Sequence, residues 1–137
     1  MSRRLAREAV YKLVFEYIFN KEINERTYEM LKADSNLSEP DKEYIDYTYR
    51  GIISKYTELC EKIASYADKY SNIDRLVKSD LAAMLVAVYE LQYADDIPAN
   101  VTINEAVDIV KQYSTEKSSG FVNGVLAGIN KDLINKA

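Results

Sequence analysis

Three arginines stand within the first seven residues, Arg3, Arg4 and Arg7. On a helix Arg3, Arg7 and Tyr11 follow one another at four-residue steps, flanked by Arg4 and Phe15. Guanidinium groups pair with phosphates, and tyrosine, phenylalanine and the guanidinium plane give unstacked bases a surface to lie on. Binding of single-stranded nucleic acid is the chemistry this combination offers. The alternative is a solvated basic helix end. Cations in a first turn oppose the helix dipole and cost roughly a few tenths of a kcal/mol, so stability alone gives no reason for three of them.

Other chemistries lack their parts. Histidine is absent and Cys60 is the only cysteine, which removes Ser-His-Asp and Cys-His pairs in their usual form and makes a zinc site improbable. Three of the four glycines are Gly120, Gly124 and Gly128, at helical spacing rather than in a phosphate loop. The acidic pair Asp95 and Asp96 has nothing clustered with it. We expect no enzyme, no cofactor and no metal. A single cysteine allows no intrachain disulfide and fits a reducing compartment. The longest apolar run, Leu81 to Tyr89, falls far short of the ~20 residues of a membrane span, so the expected address is the cytoplasm.

The 137 residues carry 18 basic and 22 acidic side chains, a net charge of −4, but distribution matters more than the total. Residues 1–20 hold four bases against two acids, residues 21–70 eight against eleven, and residues 71–137 six against nine. The basic segment is the N-terminus.

The elements that would carry these residues are helical. Leu5, Ala6, Ala9, Val10, Leu13, Val14 and Tyr17 form an apolar stripe over residues 4–19. A short helix is predicted from Ile23 to Ala33. Ser38 and Pro40 mark the cap and first turn of another, whose stripe from Tyr44 through Tyr49, Ile52, Leu59 and Ile63 predicts one central helix reaching Tyr70. Its tyrosines and Cys60 read as core. Ser71 to Asp74 breaks the run, Arg75 to Val77 gives one turn, and Ser79 is expected to cap a helix, apolar almost all round, that ends by Pro98. Thr102 and Glu105 have the spacing of a capping box, a polar loop follows from Ser114 to Gly120, and a last helix begins near Phe121 and runs through Leu133. The glycine row on it marks either close helix packing or a homodimer face. The expected fold is all-α: a compact bundle of about seven helices forming a single domain over 1–137.

The order of residues is more specific than this pattern. The opening Arg3-Arg4-Leu5-Ala6-Arg7-Glu8, then Leu85 to Leu91, Ile97-Pro98, Ile103-Asn104-Glu105-Ala106 and Phe121-Val122-Asn123-Gly124-Val125-Leu126, resembles the NusB family of antitermination factors over the full length, with the middle matching only in pattern. The resemblance implies two helical subbundles. It also implies binding of the boxA element of ribosomal RNA leader transcripts together with ribosomal protein NusE, in a complex that lets RNA polymerase resist termination. The RNA face would use Arg3, Arg4, Arg7, Phe15 and the region of Lys117, Ser118 and Phe121, with Tyr11 added from the arginine stripe. The fold also serves as an appendage of an RNA methyltransferase, but no α/β domain follows, so a stand-alone factor is expected. Leu81 and Leu85 depart from the family, whose members often carry bases there, and Lys117 partly offsets that loss. The alternative is a protein–protein module of the same fold with weak or lost RNA binding.

Overall fold

The computed structural model describes residues 2–67 and 76–136. Within them lie seven helices: α1 (Ser2–Asn20), α2 (Glu25–Lys32), α3 (Glu39–Ser54), α4 (Tyr56–Tyr66), α5 (Lys78–Tyr93), α6 (Ala99–Tyr113) and α7 (Glu116–Lys136). No strand occurs among the described residues. The central post is α5, every residue of which is buried from Asp80 to Glu90. It packs against α1, α3, α4, α6 and α7. Its near-continuous apolar sequence follows from that position, because no face of it meets water. The stripe of α1 closes onto it through Ala6, Val10, Leu13 and Val14, and α7 does so through Val122, Val125, Leu126 and Ile129.

Local chemistry sets several of the boundaries. Ser38 and Asp41 form a complete capping box at the start of α3, with Pro40 in its first turn, as the sequence indicated. Asn24 caps α2 by accepting the Thr27 backbone N–H. Lys21 adopts a left-handed conformation (φ 58°) and ends α1, its N–H bonded to the Tyr17 carbonyl at 2.7 Å.

Five expectations are corrected. The helix predicted to run unbroken toward Tyr70 is divided at Lys55 into α3 and α4, and the post of the bundle is α5 instead. Tyr70, the break at Ser71 to Asp74 and Arg75 lie outside the described residues, while Leu76 and Val77 form no helical turn. Ser79 does not cap α5, which starts after Val77 without a side-chain cap; its hydroxyl instead lies 3.4 Å from that of Ser114. Thr102 and Glu105 make no capping box, since α6 begins directly after Pro98. The last helix starts at Glu116, not near Phe121.

The glycines differ in what surrounds them. A Cβ on Gly51 would lie 2.1 Å from the Tyr89 hydroxyl, so α3 crosses α5 over this residue because it has no side chain. On α7 only Gly128 is approached, by the Tyr66 ring, while Gly120 and Gly124 face open space. Cys60 is buried, and burial pushes its thiol pKa up, which suits core packing.

Candidate nucleic-acid interface

Burying Glu90 in an apolar helix requires partners, because an unpaired interior charge is costly. Arg7 supplies two of them. The pair is bidentate, Nε donating to Oε2 at 2.9 Å and Nη2 to Oε1 at 3.0 Å. Thr102 donates its hydroxyl to Oε1 at 3.0 Å, and the Tyr44 hydroxyl donates to Oε2. Four donors fill the capacity of one carboxylate, and they come from α1, α3 and α6 onto α5. Arg7 is 5% exposed and Glu90 2%. Burial works against the Arg7 charge, but the hydrogen bonds and charge of Glu90 win and hold its pKa above the ordinary value. Burial first, then the Glu90 charge, raises the Tyr44 hydroxyl well above its usual range.

The other two arginines fan out from this node. Arg3 pairs through Nε with Asp41 at 2.9 Å and stacks its guanidinium 4.6 Å from the Tyr44 ring centroid. Asp41 is also the carboxylate of the α3 capping box, so one side chain fixes a helix start and holds α1 to it. Arg4, nearly half exposed, points the other way and is held by Glu105 and by Asp108 at 2.9 Å on α6. Its hydrogen bonds to Asp108, then to Glu105, raise its pKa. The basic N-terminus of the sequence is thus folded against four acids, Asp41, Glu90, Glu105 and Asp108.

Further along α1 the surface changes character. Tyr11 is buried, its ring 5.4 Å from that of Tyr113; burial, then Asp80, pushes its hydroxyl up to about 12. Above it Lys12 is exposed with Nζ 6.0 Å from the Tyr113 ring. Phe15 and Phe19 stack edge to face at 5.1 Å and are 37% and 59% exposed. Arg4 meets α6 at residues 105 and 108 and Tyr11 meets it at 113, so α1 and α6 run side by side in the same direction. At the end of that seam lies the start of α7, where Thr115 accepts the Ser118 N–H at 3.2 Å and Lys117 projects into solvent. Phe121 is half-buried against the core.

Residues 2–131 match the profile of the NusB family. The chain belongs to the NusB family. A curated relative, the transcription antitermination protein NusB of Natranaerobius thermophilus, is 41% identical over an alignment of 143 positions that takes in 100% of this chain and 99% of the relative. The solved structure of T. maritima NusB is 35% identical and superposes with a TM-score of 0.83, covering 94% of this chain and 90% of that one. A crystal structure of the antitermination factors NusB and NusE in complex with dsRNA contains a chain 26% identical to this one, with a TM-score of 0.80 and coverage of 96% and 97%.

The NusB-like segments of the sequence have definite places. Arg7, Glu90 and Glu105, one from each of three such segments, meet in the ion network. The suggested site residues divide. Arg4, Phe15 and Lys117 are exposed, Arg3, Ser118 and Phe121 are half-buried, and Arg7 and Tyr11 are interior. Lys12, Phe19 and Tyr113 lie on the same seam and were not singled out from the sequence; Lys12 and Phe19 continue the arginine-bearing faces of α1, whereas only the fold brings Tyr113 of α6 there. Glu90 was also missed, although a lone acid in an apolar helix called for a cation elsewhere. Leu81 and Leu85, 2% and 0% exposed, are core. No surface base is missing at those positions, and the reading of a module with lost RNA binding loses that support. Among the described residues no group of three or more His, Cys, Asp or Glu side chains is placed to hold a metal ion, and no helix is long and apolar enough to cross a membrane.

Proposed function

We propose that this chain is a transcription antitermination factor that binds single-stranded RNA of the boxA type along the seam between α1 and the α6–α7 junction. It acts in the cytoplasm, without catalysis, in a complex with ribosomal protein NusE and RNA polymerase. The observation that carries the reading is the seam itself: exposed cations Arg4 and Lys12 on α1 and Lys117 at the start of α7, together with the exposed or part-exposed rings Phe15, Phe19, Tyr113 and Phe121. The cations engage phosphates, and the rings receive bases splayed from the strand. Arg3 adds a half-exposed guanidinium at the α3 edge. Arg7 and Tyr11 work from beneath: Arg7 fixes the start of α1 to α5, and Tyr11 backs the ring of Tyr113. The NusB–NusE complex with dsRNA among the similar structures supports both partner classes.

Equilibrium binding of a labelled boxA RNA in the presence of NusE, repeated across a salt series, tests this. About three phosphate contacts on a single strand give a slope of log K against log salt near −2. Absence of binding at low salt, or equal affinity for a scrambled RNA, would sink the proposal.

A further inference from the structure

The fold pairs the N-terminal arginines, including Arg4 of the proposed interface, with acids. Arg3, Arg4 and Arg7 face Asp41, Glu90, Glu105 and Asp108, three positive charges against four negative. Three of those acids have structural duties. Glu90 is the buried node of the network, Asp41 completes the α3 capping box, and Glu105 contacts Arg4 while its other oxygen lies 3.6 Å from Arg7. Asp108 has none of these. Its side chain is 48% exposed, its ion pair is with Arg4, and Arg4 is already paired with Glu105 without it. A surface carboxylate of this kind occupies the guanidinium in the way a phosphate oxygen does.

We infer that Asp108 is an affinity-setting clamp on Arg4: a carboxylate that holds the guanidinium in the phosphate's place and must be displaced when RNA binds. The inference rests on the reading of the α1–α6 seam as an RNA interface and names how that interface is regulated. A clamp of this kind weakens all RNA binding to a similar degree, so that tight association depends on contacts supplied along with the RNA by a bound protein partner. Exposed ion pairs are weak and screened by salt, so the clamp is displaceable rather than a lock.

The test is fluorescence anisotropy with a labelled twelve-nucleotide single-stranded RNA carrying boxA, at about 50 mM salt, for the wild type, Asp108→Asn, Arg4→Ala and the double variant. Asn keeps the shape and removes the charge. Asp108→Asn is expected to tighten binding about two- to fivefold, with the gain fading toward none near 1 M salt. Arg4→Ala is expected to weaken binding, and Asp108→Asn on top of it to change nothing further. A gain that persists in the Arg4→Ala background would mean that Asp108 acts through bulk charge, and would overturn the clamp. So would unchanged affinity in Asp108→Asn while the wild type binds RNA. Failure of the wild type to bind RNA even with NusE present would instead overturn the RNA reading on which the clamp depends.

Discussion

Replacing Arg7 by Ala is the sharpest perturbation of the ion network. The substitution leaves the Glu90 carboxylate in the interior with Tyr44 and Thr102 as its remaining donors. Removing one partner of a buried pair costs about 3–5 kcal/mol, because the other charge stays behind without compensation. A domain of this size has roughly 5–15 kcal/mol to lose. With an m-value of about 2 kcal/mol/M, a 4 kcal/mol loss lowers the urea midpoint by about 2 M. Circular dichroism at 222 nm follows the unfolding directly in so helical a chain. Adding Glu90→Gln to Arg7→Ala removes the stranded charge, so the double variant is expected to recover at least about 1 kcal/mol of the loss. A midpoint shift below about 0.5 M for Arg7→Ala would refute the reasoning. So would a double variant no more stable than the single one, since the cost would then come from lost packing.

Other consequences can be measured separately. Tyr11 and Tyr49, both pushed up to about 12 by burial first, and Tyr44, raised well above its usual value, stay protonated in the fold at pH values where the unfolded chain ionises. Their contribution is therefore complete below pH 10 and is lost as pH rises from there through the folded pKa values, by up to about 1.4 kcal/mol per pH unit for each tyrosine; urea midpoints between pH 8 and 11, with tyrosinate absorbance in parallel, should be flat and then fall, and Tyr44→Phe should shallow the fall. Gly51→Ala is expected to destabilise by about 1–3 kcal/mol despite the better helix propensity of Ala, because the new methyl collides with the Tyr89 ring, as overpacked cores do; thermal denaturation reads this, and a neutral or stabilising result would contradict it. Phe15→Ala should weaken RNA binding by about 1–3 kcal/mol, the worth of one stacked base, while leaving the urea midpoint nearly unchanged.

How far the sequence could be read depended on whether the deciding contact was local. Ser38, Pro40 and Asp41 lie within four residues of one another, and the α3 start they predict is the one that forms. Thr102 and Glu105 have equally good local spacing, but tertiary partners take both side chains, Thr102 by Glu90 and Glu105 by Arg4. Residues three apart share a helix face, so a pair aimed across at α5 and α1 imitates a capping box. The division at Lys55 has no proline or glycine to announce it; the apolar period runs through it because α3 and α4 both pack on α5, while α4 also turns to reach α7. Counting charges by segment made the N-terminus basic, whereas the acids that cover it lie 38 to 104 residues away. The aromatic part of the interface was legible at Phe15, because an exposed ring four residues beyond Tyr11 continues the arginine stripe. Tyr113 was not, since only the parallel course of α1 and α6 brings it there.

The central claim is that RNA lies along α1 and the α6–α7 junction. Photocrosslinking tests it most directly, using a boxA RNA substituted with 4-thiouridine, bound in the presence of NusE, and digested for mass spectrometry. Adducts are expected on the peptides spanning residues 12–19 and 113–121, at Phe15, Phe19, Tyr113 or Phe121. Adducts confined to the exposed face of α3, around Tyr47, would place the RNA away from the seam and contradict the account.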